Sequence, residues 1–272
     1  MKYVSWLAVL ALSLLSTLAK AETLVLIPGF QEEGMAWRKH HVTSSLQSSG
    51  WVDGGNLVFT PQGIVNNTQL AKRPKKILYT LELPNQLSIV HQAAVLDQYL
   101  QAIALKRKEP LTLVGHSAGG LVGRYWLVNH QTVRVHTLIT IATPHTGTPW
   151  ADISESAVNT PLAEFVAGMG IDLANAKRLY SELREERPGT FLYWLNHQAH
   201  PAIRYVSIVR KSKRPDSVDF VVPAHSQNMD RVFALNGHTE TVFSEGRHFL
   251  NANDGYRIAK ILSNKPQRKK QP

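Results

Sequence analysis

The chain contains no cysteine in 272 residues. That absence removes a thiol nucleophile, disulfide cross-links and a lipid-modified cysteine from consideration, and it suits an exported protein that relies on its core. Long apolar runs are equally scarce. The one candidate is Val4 to Leu18, shorter than the roughly 20 residues that span a bilayer. With Lys2 ahead of it and Ala19-Lys20-Ala21 behind, it reads as a signal peptide over residues 1–21, cleaved near Ala21. The expected location is therefore outside the cytoplasm, periplasmic or secreted. Acidic residues are also in short supply, 20 against 30 Lys and Arg. Loss of Lys2 and Lys20 leaves a net charge of +8, half of it in the terminal KPQRKKQP, which reads as a basic disordered tail over residues 265–272. This balance is compatible with peripheral contact to an anionic membrane surface, but a generally basic soluble protein is the better explanation. No nucleic-acid motif, internal repeat or metal motif is visible. The His40-His41 pair lacks companions at ligand spacing.

What is present is organised around Leu111 to Gly120, LTLVGHSAGG. A β-rich apolar run leads into Gly115-His116-Ser117-Ala118-Gly119, and LVGRYWLV then reads as a helix. Gly-x-Ser-x-Gly between a strand and a helix is the pattern of a nucleophile elbow. Serine in so tight a turn needs small neighbours two positions before and after it. Its hydroxyl then projects beyond the sheet, beside the N–H groups that open the helix.

Around this motif strands and helices alternate. Leu24–Ile27 is a buried strand broken by Pro28-Gly29-Phe30, Gly34–Ser49 a helix, and Asn56–Thr60 a second strand closed by Pro61-Gln62-Gly63. Ile64 to Pro84, basic and proline-bearing, reads as loop. Leu87 to Lys108 carries Ile89, Val90, Ala93, Leu96, Leu100 and Ile103 at helical period. Val135–Ala142 and Ile203–Val209 are strands, the region Arg231 to Phe243 holds the last strand in one of two places, and Asn253–Ser263 closes the chain as a helix. Such alternation implies a parallel sheet with right-handed crossovers, whose ligands gather at the carboxyl ends of the strands. Between Pro149 and Pro201 lies an excursion with helix-like stretches at Thr160-Pro161 and Leu173 to Leu183, and an aromatic FLYWL element at 191–195. It reads equally as packed helices or as a cap with its aromatic face towards substrate.

LVLIPGF at the first strand, VGHSAGG at the elbow, TPHTG after the next strand, DFVVP after the following one and a histidine before the last helix together resemble the α/β-hydrolase superfamily, in particular bacterial lipases and esterases. The resemblance covers nearly all of Leu24 to Ser263. It implies a minimal α/β-hydrolase fold over residues 22–264, with a mostly parallel six-stranded sheet flanked by helices and a helical cap insertion at 149–201. It also implies serine, acid and histidine in that order, with Ser117 as nucleophile. Asp219, which opens DFVVP, matches the acid position better than Asp216 or Asp230. For the base, His248 lies shortly before the last helix, as the superfamily's base does. His238 competes if the last strand is Arg231–Leu235. The resemblance places the oxyanion hole at the backbones of Ala118 and Phe30, and leaves His116 and His145 to packing or hydrogen bonding. The expected activity is serine ester hydrolysis of acyl-chain substrates, lipase- or esterase-like, without cofactor or metal. The expected partner is a small-molecule or lipid ester, not nucleic acid. The same machinery serves phospholipase, thioesterase, amidase or acyltransferase chemistry, and a silent hydrolase fold used for binding is the rival of another kind.

Overall fold

The computed structural model describes residues 21–66, 68–153, 177–211 and 219–264. The expected signal peptide (bar Ala21), the Thr160-Pro161 stretch, Asp216 and the basic tail lie outside them. Eight strands form one sheet: β1 (Glu22–Ile27), β2 (Val52–Thr60), β3 (Gly63–Asn66), β4 (Lys76–Leu81), β5 (Leu111–His116), β6 (Val135–Ile141), β7 (Arg204–Arg210) and β8 (Thr239–Ser244). Their order is β3-β2-β4-β1-β5-β6-β7-β8. Every neighbouring pair is parallel except β2 and β3.

Eight strands replace the six expected, and both additions come from the segment read as loop. Pro61 and Gln62 turn the chain back on itself, so β3 is the short return of a hairpin. β4 is more consequential, because it lies beside β1 near the middle of the sheet. Its ILYTL is β-branched and aromatic, and every residue from Ile77 to Leu81 is buried. Basic residues and Pro74 and Pro84 on its flanks hide so short a run from a composition reading. The last strand is Thr239–Ser244, and the competing Arg231–Leu235 forms 3₁₀ turns instead.

Helices cover both faces: α1 (Ala36–Lys39), α2 (Val42–Ser48), α3 (Ile89–Lys106), α4 (Ala118–Asn129), α5 (Pro149–Ile153), α6 (Lys177–Glu182), α7 (Phe191–Asn196) and α8 (Ala252–Ser263). The single helix expected over Gly34–Ser49 is two, because His41 adopts a left-handed φ of 62°. Alternation along the strands divides the core. Val25 and Ile27 face a layer containing α3 and α4, whereas Leu24 and Leu26 face one containing Trp37, Val42, Leu46, Ile258 and Ile261.

One fully buried ion pair ties the last helix to the sheet. Arg210, at the end of β7, donates from Nη1 and Nη2 to the two Asp254 carboxylate oxygens at 2.6 and 2.8 Å, with both side chains wholly inaccessible. Asp254 also accepts the Asn251 N–H in a capping box that opens α8. Removing one partner of such a pair strands the other in a low-dielectric interior, at a cost of about 3–5 kcal/mol. Asp254→Ala should lose that much stability in urea unfolding. A loss under about 1 kcal/mol would show that desolvation cancels the attraction.

Candidate active site

The geometry starts at Ser117, which joins β5 to α4 with φ 50° and ψ −128°, a conformation rarely tolerated by residues with a side chain. Contacts on every side hold it. Its N–H donates to the Ile141 carbonyl at 2.9 Å. A Cβ on Gly119 would stand 2.3 Å from the Pro28 carbonyl oxygen, so only glycine lets α4 approach the loop after β1. A Cβ on Gly29 would meet the Ser117 Cβ at 3.0 Å, so that loop lies directly against the serine.

His248 arrives from the loop between β8 and α8. Its Nε2 is 2.9 Å from the Ser117 Oγ and its Nδ1 3.0 Å from the Asp219 Oδ2. An ionised carboxylate only accepts, so Nδ1 carries the proton and Nε2 faces the hydroxyl as an acceptor. Burial pulls the His248 imidazole below its ordinary pKa, against the pull of Asp219 in the other direction. Asp219 is itself tightly held. Its Oδ1 accepts the N–H groups of Val221 and Val222, both at 2.9 Å, and its Oδ2 accepts the Gln227 Nε2 amide at 2.9 Å. Such an arrangement can pass the serine proton to a neutral imidazole and stabilise the cation that results.

The other candidates are elsewhere. His238 is exposed and precedes β8, so the length of that strand separates it from Ser117. Asp230 accepts the Gly237 N–H in a surface turn. Two backbone N–H groups, those of Ala118 and Phe30, have no hydrogen-bond partner among the described residues. Both flank Ser117, one at the opening of α4 and one in the loop that Gly29 presses against it.

The aromatic contacts described for the FLYWL element lie along α4 and within α7 rather than at the serine. Phe191 stacks on Tyr125 with centroids 5.8 Å apart, and Trp194 tilts against Tyr125 at 5.9 Å. Tyr125 is two turns along α4 from Ser117, roughly 12 Å at helical rise. Of the two readings of this excursion, these contacts fit the packed one for α7, which braces α4. Aromatic groups nearer the serine are Phe30, edge-on to Tyr180 at 5.5 Å, and Phe249, edge-on to His248 at 6.1 Å and more than half exposed.

Several residues of the site carried no recognisable signal. Gln227 is an ordinary loop residue in sequence, eight positions beyond the carboxylate it holds. Arg124, fully buried in α4, donates to His145 Nδ1 at 3.0 Å and Asn196 Oδ1 at 2.6 Å, joining α4, the TPHTG loop and α7. Burial pulls Arg124 down to about 9, with no carboxylate in direct contact among the described residues. Accepting from Arg124 leaves His145 neutral, with Nε2 donating to Thr140 Oγ1 at 3.0 Å. Glu182 docks α6 onto the opening of α3 by accepting the Ile89 N–H at 2.5 Å, and burial pushes it up to about 7. The chain just after TPHTG interlocks with the DFVVP loop: Thr148 donates to the Val221 carbonyl and Trp150, in α5, to that of Phe220. Apart from Gln227–Asp219 and His145–Thr140, these contacts join segments remote in sequence.

Among solved structures, the chain is similar to the lin2722 gene product of Listeria innocua, with TM-score 0.65 and 15% identity over 92% of this chain and 96% of that one. It is similar to mature lipase BlEst2 of Bacillus licheniformis, with TM-score 0.63 and 17% identity over 91% and 94%. It also resembles the metagenomic carboxyl esterase MGS0156, with TM-score 0.54 and 15% identity over 89% and 74%. At these identities the likeness is one of fold. No curated protein matches the chain. A family model described as the PGAP1-like alpha/beta domain matches residues 75–242, from the edge of β4 into β8, and so includes Ser117 and Asp219. With more than half of its length matched and the sheet order laid out above, this chain belongs to the PGAP1-like alpha/beta domain family of the α/β-hydrolase superfamily.

Proposed function

We propose that the protein is an exported serine hydrolase that cleaves carboxylic esters through an acyl-enzyme. The observation that carries this reading is the unbroken relay from Ser117 Oγ to His248 Nε2 at 2.9 Å and from His248 Nδ1 to Asp219 at 3.0 Å. Ser117 attacks the ester carbonyl while His248 takes its proton. Asp219 holds the imidazole in the required tautomer and stabilises its charged form. The Ala118 and Phe30 N–H groups receive the oxyanion. His248 then returns the proton to the leaving alcohol, and a water repeats the sequence to release the acid.

An acyl chain is the substrate group that suits the surroundings, with Phe30, Tyr180 and Phe249 beside the oxyanion donors and the base. A lipase and a carboxyl esterase among the similar folds support a lipolytic activity of this class. Export rests on the signal-like segment at residues 1–21.

Ser117→Ala should fold normally, lose labelling by a fluorophosphonate probe and lose on the order of 10⁴–10⁶ in kcat, as triad nucleophiles do elsewhere. His248→Ala should match that loss while His238→Ala keeps most activity. Activity of Ser117→Ala within tenfold of the wild type would sink the assignment. Acyl preference has its own measurement, kcat/KM for p-nitrophenyl esters from acetate to decanoate. Each buried methylene is worth about 0.8 kcal/mol, so four should raise kcat/KM by about a hundredfold. Phe249→Ala should flatten the series. Acetate as the best substrate would leave a short-chain esterase.

A further inference from the structure

Behind the Ser117–His248 contact lies a second acid–imidazole pair that the relay does not use. His116, the residue before Ser117, is buried at 1% exposure. Its Nδ1 is 2.7 Å from Glu32 Oε2 and its Nε2 is 2.9 Å from the carbonyl oxygen of His248. Glu32 Oε2 also accepts the Gly29 N–H at 2.9 Å. Glu32 belongs to the loop after β1, two residues past Phe30. Three segments thus meet on one imidazole: the loop with the oxyanion donor, the turn with the nucleophile and the loop with the base.

The proton count follows from the acceptors. A carbonyl oxygen cannot donate, so Nε2 must carry a proton. Glu32 Oε2 already accepts one N–H, which favours its ionised form, so Nδ1 must donate as well. We propose that Glu32 and His116 are positioning residues of this site, a buried carboxylate–imidazolium pair that holds the Gly29–Phe30 backbone and the His248 backbone in register across Ser117. The inference rests on the reading of Ser117 and His248 as nucleophile and base.

The electrostatics agree with the geometry. Burial works against charge on both partners, yet their mutual attraction raises His116 above its ordinary pKa and holds Glu32 below its own. The His116 ring centroid is 5.3 Å from that of His248. The charged groups facing His248 are therefore Asp219 from the loop after β7, His116 from the end of β5 and Glu32 from the loop after β1; His116 in turn faces Glu32, His248 and Arg210. A cation at His116 disfavours a second proton on His248 and keeps it a neutral base to lower pH.

The pair itself is tested without turnover by ¹⁵N-histidine NMR, with the His116 signals identified by their loss in His116→Gln. Both ring nitrogens of His116 should be protonated at pH 7, and one should lose its proton in Glu32→Gln. An unprotonated His116 nitrogen in the wild type overturns the proposal. The second arm is the pH dependence of p-nitrophenyl ester hydrolysis. Gln at position 116 keeps hydrogen-bonding capacity and removes the charge. The acid limb of kcat/KM should therefore move to higher pH, and kcat should fall about tenfold to a hundredfold with KM nearly constant. Glu32→Asp should recover part of the loss seen in Glu32→Gln. An unmoved acid limb and no recovery by Asp would reduce the pair to a structural contact and overturn the inference. Ser117→Ala in the same assay separates the two readings: if it stays active the hydrolase reading fails, while the NMR still decides the pair.

Discussion

Everything at this site depends on how closely four backbone segments approach Ser117. The serine occupies φ 50°, and a single turn supplies no compensation for a conformation that costs of order 1–3 kcal/mol. Compensation comes from the surrounding sheet. β5 delivers the turn, Ile141 of β6 accepts its N–H, α4 begins immediately after it, and the loop after β1 presses against it through Gly29. The crowding has a chemical consequence. It leaves two N–H groups beside the serine, from Ala118 of α4 and Phe30 of the β1 loop, with no partner among the described residues.

Charge is handled in three different ways around that turn. Asp219 is surrounded by donors, so its carboxylate stays fixed against the imidazole. Arg210 and Asp254 neutralise each other bidentately in complete burial, and Arg210 also accepts responsibility for the loop of the base by donating to the Phe249 carbonyl at 3.1 Å. Among the described residues Arg124 has only neutral partners in direct contact, two histidines and an asparagine, and its charge is correspondingly easier to remove. The first fixes the His248 imidazole, and the second fixes the loop that carries it, through Ser244 at its start and through Phe249 and Asp254 beyond the histidine. The third braces α4 against α7 away from the serine.

The excursion after β6 contributes to the site by way of its described parts. α6 brings Tyr180 against Phe30, and Glu182 pins α6 to α3. α7 turns Phe191 and Trp194 to Tyr125 instead. Helical spacing in FLYWL explains the division, because Leu192 and Leu195 share one face and enter the core while Phe191 and Trp194 share another.

Local chemistry was enough to read the elbow, the buried strands at Leu24–Ile27, Leu111–Val114 and Val135–Ile141, and the long α3. Each is a short-range pattern: glycines around a serine, an apolar run between breakers, or a repeat at helical period. DFVVP and the histidine before α8 pointed to Asp219 and His248 through resemblance, but no local signal separated His248 from His238. The sheet decides which of the two reaches Ser117, because β8 pairs with β7 from Tyr205↔Thr239 to Arg210↔Ser244. That register sends residue 238 to the amino ends of the strands and residue 248 beyond their carboxyl ends, where Ser117 lies. β4 was missed because its burial comes from neighbours on both sides, β1 and β2, which composition in its own window does not reveal. Glu32, Gln227 and Arg124 stayed silent for the same reason. A polar residue in a loop or helix looks alike whether it meets water or a buried partner, and only packing brings Glu32 to His116 across 84 positions of chain.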